Sequence, residues 1–242
     1  MRLAILADIH SNSIALEKVL RAIHREKVDQ VVCLGDVVNI GPRPREVIDR
    51  LRELDCLTIM GNHDEWMLKP DHHSRKDTID EIVDIHHWTV EQLTADDCAY
   101  LRSFKETAYL ELSAEENILF FHGSPRSNKD LILAETPDHV LDTMFNGCRA
   151  SLLIGGHSHI QLMRYYRGMR LINPGSVGLS FTYHPQFGYS PWAEFALVTW
   201  QRGRVHFDLH RLPLDIDTII EDARQTDMPH TEWWAEAWRK GV

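Results

Sequence analysis

Short apolar runs that end abruptly in polar clusters dominate the first third of the chain. Leu3-Ala4-Ile5-Leu6-Ala7, Val31-Val32-Cys33-Leu34 and Leu57-Thr58-Ile59-Met60 are continuous apolar stretches of strand length. Runs of this kind suit strands buried on both faces. Between them, Ile14, Leu16, Val19, Leu20 and Ile23 recur at close to helical spacing, with Asn12 or Ser13 placed to start the helix. Val47, Ile48, Leu51 and Leu54 give the segment from Arg45 to Leu54 a helical apolar face, after a loop marked by Gly41-Pro42 and Pro44. The order strand–helix–strand–helix–strand predicts parallel strands with helical crossovers. From the pattern alone, one doubly wound sheet is expected.

The pattern changes between residues 70 and 115. Lys69-Pro70-Asp71 is a break, Thr78 to Leu93 reads as a helix, and a second helix runs from Thr94-Ala95-Asp96-Asp97 through Tyr100, Leu101 and Phe104. This stretch is expected to be a helical insert or cap within a single domain spanning residues 1–242. Strands resume at Ile118–Phe121, Leu152–Ile154, Met169–Ile172, Phe195–Trp200 and Val205–Leu212, with links short enough for antiparallel pairing. Two helices, Asp217–Arg224 and Thr231–Lys240, close the chain, and Trp233-Trp234 reads as packing for the last one.

Composition narrows the function classes. The balance of 26 basic against 36 acidic residues gives −10, without a basic stripe, which argues against duplex nucleic acid as a partner. Cys33, Cys56, Cys98 and Cys148 are widely spaced and lack a C-x-x-C pair, so buried reduced thiols are expected. The opening MRLAILADIH is too short for a signal segment, and no run approaches the ~18–20 apolar residues of a membrane helix. A cytoplasmic protein without membrane contact is expected.

The chemistry lies in the residues just past the strands. Asp8-Ile9-His10, Gly35-Asp36, Gly61-Asn62-His63-Asp64, His122-Gly123 and Gly156-His157-Ser158-His159 each fall at a predicted strand end. Functional groups of parallel sheets gather at the carboxyl ends of strands. In extended backbone, Asp8 and His10 would point to one side, as would His157 and His159. Asp8, His10, Asp36, Asn62, His122, His157 and His159 make seven candidate ligands, too many for one zinc ion. They suit two ions about 3.5–4 Å apart that share a carboxylate. His72-His73 and His86-His87 read as a polar loop and a helix face, not as further sites.

D-x-H, G-D, G-N-H-D, a later His and G-H-x-H in this order resemble the calcineurin-like metallophosphoesterase superfamily. DIHSNSIALEKVL, GDVVNIGPRPREVI, HGSPR and NPGSVG resemble its small bacterial and archaeal phosphodiesterase/phosphatase branch over nearly the whole chain. The resemblance implies an α/β fold of two mixed β-sheets packed as a sandwich flanked by helices, four layers deep, in place of one open sheet. It implies one divalent ion on Asp8, His10, Asp36 and His159, and a second on Asp36, Asn62, His122 and His157. Mn, Fe, Zn, Co and Ni all suit such mixed ligands.

The implied activity is hydrolysis of a phosphodiester or phosphoanhydride in a small phosphorylated or nucleotide substrate by hydroxide activated between the ions. A phosphomonoesterase and a non-catalytic scaffold are the rival readings. In the family, the histidine at position 63 stabilises or protonates the leaving group, and Asp64 is placed to orient it; a turn residue positioning Asn62 is the plainer role. Arg126 and Arg43 are candidate phosphate contacts, since guanidinium forks match phosphate oxygens. Arg43 has an equal claim as a solvated loop charge. Asn12 is a candidate substrate contact or the cap of the first helix. The branch commonly has Gly-Tyr where this chain has Asn39-Ile40, which removes an aromatic from the expected site.

Overall fold

The computed structural model describes residues 1–69, 78–181 and 188–241. Ten strands and eight helices lie along them, alternating strictly from β1 (Arg2–Leu6) to α3 (Asn62–Leu68). The strands form two five-stranded sheets. The first has the order β10-β9-β1-β2-β3, from β1 (Arg2–Leu6), β2 (Gln30–Cys33), β3 (Leu57–Thr58), β9 (Trp192–Gln201) and β10 (Arg204–Pro213). The second has the order β4-β5-β6-β8-β7, from β4 (Ala108–Glu111), β5 (Asn117–Phe120), β6 (Leu152–Ile154), β7 (Leu162–Tyr166) and β8 (Met169–Asn173). Each sheet holds three adjacent parallel strands, β1-β2-β3 and β5-β6-β8, with antiparallel strands at its margins.

Strand alternation explains why two sheets form instead of one. Leu3, Ile5 and Ala7 share a buried cluster with Ile118, Phe120, Leu152 and Ile154, so the sheets face each other through these side chains. Ala4 and Leu6 point the other way. They join Leu16, Val19 and Ile23 of α1 (Ser13–Glu26), Val47, Ile48 and Leu51 of α2 (Pro44–Leu54), and residues of α7 (Ile216–Arg224) and α8 (Thr231–Lys240). Leu119, Phe121 and Leu153 pack outward on Leu141 and Met144 of α6 (Asp138–Met144). The central strands of both sheets are thus covered on both faces, giving a helix–sheet–sheet–helix sandwich. The continuous apolar runs predicted buried strands correctly but do not say how many sheets share them.

The stretch expected to be helical to residue 115 stops earlier. It contains α4 (Asp80–Gln92) and α5 (Ala95–Arg102), after which β4 pairs antiparallel with β5 and edges the second sheet. His72 and His73 lie outside the described residues. Trp234 is fully buried and donates its indole N–H to the Ile40 carbonyl at 2.7 Å. The four cysteines are free thiols. Among the described residues, no helix is long and apolar enough to cross a membrane.

Candidate metal centre

The carboxyl ends of the two parallel runs meet at one edge of the sandwich, where their loops are laced together. Asp8 N donates to Gly35 O, His10 N to Asp36 O and Gly156 N to His122 O, at 3.0, 3.0 and 2.8 Å. Val177 N and Gly178 N donate back to Ala7 O and Asp8 O. Gly35 and Gly61 let two of these loops touch. A Cβ on Gly35 would stand 2.4 Å from Gly61 N, and one on Gly61 would stand 2.1 Å from Asp36 N.

Two groups of side chains converge here, each with ligand atoms within 4.8 Å of one another: Asp8, His10, Asp36 and His159, and Asp36, His122 and His157. Asp36 belongs to both. Asn62, the first residue of α3 (Asn62–Leu68), adds its Oδ1 at 3.1 Å from His122 Nε2. The seven candidates are therefore brought together.

They do not converge as extended pairs. Asp8, His10, Asp36, His157 and His159 all have positive φ, from 47° to 68°. Left-handed backbone is uncommon for such residues and concentrates at functional sites. The side chains of His157 and His159 converge because the chain turns sharply at each, which corrects the strand-like geometry expected for Asp8-Ile9-His10 and Gly156–His159.

The imidazoles show what the site needs. Nδ1 of His10, His122 and His159 meets the carbonyls of Asn39, Leu34 and Leu179 at 3.2, 2.7 and 2.6 Å. A carbonyl only accepts, so each Nδ1 carries hydrogen and each Nε2 faces inward, the tautomer of a metal-ligating histidine. His10 Nε2 and His159 Nε2 lie 3.2 Å apart. Burial lowers both rings to about 3, so at neutral pH two lone pairs face each other. His122 Nε2 is surrounded by acceptors, with Asp36 Oδ2 at 3.4 Å and Asp8 Oδ1 at 4.0 Å. Burial opposes charge on His122, but Asp36 and Asp8 push its ring up to about 9. Burial likewise drives the Asp8 carboxyl well above its ordinary range. Burial opposes charge on Asp36 too, but the His122 and His63 rings overcome it and hold that carboxyl well below. Lone pairs aimed at lone pairs, over buried carboxylates, fit a divalent cation.

His63 lies beside the first group, its ring centroid 5.0 Å from that of His10 and 4.1 Å from that of Trp66. Its partner is not Asp64. The Asp64 carboxylate is fully occupied by the backbone, accepting from Val37 N, Val38 N and Gly61 N at 2.9, 3.3 and 3.1 Å. Asp64 thus ties the Asp36 loop to α3. Asn39, which no ligand motif singles out, contacts His63 instead: Asn39 Nδ2 is 2.8 Å from His63 Nδ1. Ile40 N donates to Asn39 Oδ1 at 3.0 Å, which fixes the amide orientation. His63 Nδ1 therefore accepts, and its Nε2 carries the hydrogen. The signal available in the sequence was an asparagine where left-handed backbone is needed, at φ 76°.

The three expected substrate contacts are engaged elsewhere. Asn12 caps α1 by accepting from Ala15 N at 3.0 Å and donates to Gly178 O at 3.1 Å. Arg43 grips Asp222 of α7 with Nε and Nη2, at 3.1 and 2.8 Å. Arg126 pairs with Asp130, Nε to Oδ2 at 2.6 Å, on the wall of a cleft of about 380 Å³ that also includes Glu65 and Lys129. Phe181, also missed, stacks on His159 with centroids 5.0 Å apart and planes 15° apart. His86 is buried in α4.

Fold and ligand geometry together define a metallophosphoesterase-like centre. Residues 1–196 match the calcineurin-like phosphoesterase superfamily domain, and the chain belongs to that superfamily. An uncharacterised protein of Methanocaldococcus jannaschii is 32% identical over 97% of this chain and 96% of its own. The crystal structure of a metallophosphoesterase from Sphaerobacter thermophilus superposes with a TM-score of 0.74 at 26% identity, covering 100% of both chains. A hypothetical protein from Pyrococcus horikoshii has a TM-score of 0.80 at 23% identity, over 100% of this chain and 97% of that one, and shares the fold.

Proposed function

We propose that the protein is a two-metal phosphoesterase that cleaves phosphodiester or phosphoanhydride bonds in a small phosphorylated or nucleotide substrate. The observation that carries this reading is the pair of ligand groups sharing Asp36, with His10 and His159 turning lone pairs towards each other. Asp8, His10, Asp36 and His159 hold one ion, and Asp36, Asn62, His122 and His157 the other, from among Mn, Fe, Zn, Co and Ni. When bound, such ions lower the pKa of water towards about 7 and neutralise charge on phosphoryl oxygens.

The chain's own residues do the rest. The carbonyls of Asn39, Leu34 and Leu179 orient three imidazoles. His63 presents an N–H beside the first ligand group, where it donates to the leaving oxygen as negative charge develops. Asn39 holds that ring in the donor tautomer.

Protein purified without added metal, analysed for elements and assayed with Mn²⁺ on p-nitrophenyl phosphate, its bis-ester and diadenosine tetraphosphate tests the proposal. About two ions per chain and the highest kcat/KM on the bis-ester or the anhydride are expected. Faster monoester turnover would favour a phosphomonoesterase. Folded, metal-loaded protein inert on all three would favour a scaffold.

A further inference from the structure

The sandwich is open along one edge. β10 ends the first sheet and β7 ends the second, and among the described residues no strand pairs with the outer side of either. The inner faces run out into solvent there. Ile172 lies opposite both Ile154, in the core between the sheets, and Met163 of β7, which therefore points to the inner side, as does Tyr165 two residues on. Yet Met163 is 63% exposed and Tyr165 78%. On β10, Phe207 and Leu209 lie opposite the core residues Val198 and Ala196, and Leu209 is 38% exposed. Val205 and Phe207 pack partly on the core, but Leu209 on β10 and Met163 and Tyr165 on β7 leave inward-facing apolar side chains exposed at both edges, which marks an interaction surface.

The unused backbone groups of β10 can be assigned. Trp200 N donates to Met1 O at 2.8 Å, and the Met1 amino group donates to Trp200 O at 3.0 Å. Trp200, Val198 and Ala196 therefore bond towards β1, and Thr199 and Leu197 bond towards their β10 partners His206 and Asp208. Leu214 N to Pro191 O, at 2.9 Å, continues this series. The N–H and C=O groups of Val205, Phe207 and Leu209 thus face away from β9.

We propose that β10 pairs antiparallel with β10 of a second copy of this chain, about a two-fold axis at Phe207. This register sets Phe207 opposite Phe207, Val205 opposite Leu209, and His206 opposite Asp208 twice. Cross-strand apolar pairs, and a histidine set opposite a carboxylate, stabilise a ladder. An axis one residue on would set Asp208 against Asp208. One residue back, it would confine the ladder to Arg204–Asp208. The interface is isologous, as a closed dimer requires, and it joins the two first sheets into one while covering Met163 and Tyr165.

Light scattering at tens of micromolar should give twice the 28.1 kDa chain mass. His206→Asp sets aspartates opposite each other and should weaken dimerisation at least tenfold. His206→Asp with Asp208→Lys sets opposite charges against each other in this register alone and should recover it. Phe207→Cys should form an interchain disulfide on mild oxidation, since directly opposed Cα atoms at about 5.5 Å lie within disulfide range. Circular dichroism checks that each variant is folded. A parent chain running at single mass, or a dimer indifferent to the charge swap and not cross-linked at position 207, overturns the proposal.

Discussion

Asn39 holds His63 and His10 at once: its side-chain amide lies 2.8 Å from His63 Nδ1, and its backbone carbonyl receives His10 Nδ1 at 3.2 Å. One buried residue couples the proposed proton donor to a candidate metal ligand. The two functions are separable, because only the first uses the side chain.

Asn39→Gly tests that separation. Glycine accepts φ 76° without strain and keeps the carbonyl for His10. The variant should keep its full metal content and KM but lose about tenfold or more in kcat. His63→Gln should lose about 100-fold or more, in the range of a general acid's contribution. Adding Asn39→Gly to His63→Gln should then cost nothing further. An additive double mutant would show that Asn39 acts on the centre by another route.

His157 and His159 belong to different candidate ligand groups although only Ser158 separates them. His159→Ala should deplete the ion shared with Asp8 and His10, and His157→Ala the ion shared with His122. Each variant should carry about one ion per chain. Spectroscopy of the cobalt-substituted variants should give two different ligand fields. Identical spectra would mean that both histidines serve one ion.

Glu194 supplies a pH dependence away from the ligands. Its Oε1 accepts from Arg211 Nε at 2.6 Å, while Oε2 is buried without a hydrogen-bond partner. Burial raises this carboxyl from 4.5 to about 7, against the pull of Arg211. The fold therefore favours the protonated form. The stability it contributes is fully present below about pH 4.5 and is lost as pH rises through about 7. Glu194→Gln mimics the protonated state, so its melting temperature should fall less than the parent's between pH 5 and 8. Parallel curves would assign the slope to another group.

The candidate ligands were legible because ligand chemistry restricts residue type and because apolar runs locate strand ends. Their approach was not legible. The pattern of Asp8-Ile9-His10 is compatible with a strand, and only the structure shows left-handed turns at Asp8 and His10. Arg43 shows a second limit, since its partner Asp222 lies 179 residues away and no local pattern announces it. The short strand β7 was hidden too, because Leu162-Met163-Arg164-Tyr165-Tyr166 mixes buried and exposed positions at an unpaired edge.

The left-handed turns also bear on how such a centre could be transplanted. Five of the seven candidate ligands sit in backbone that ordinary strand ends do not adopt. Copying the seven side chains onto another parallel sheet would splay them apart. What would have to be moved is the interlocked set of loops, with Gly35 and Gly61 back to back at their crossing, so the smallest portable unit of this chemistry is a piece of chain path and not a list of residues.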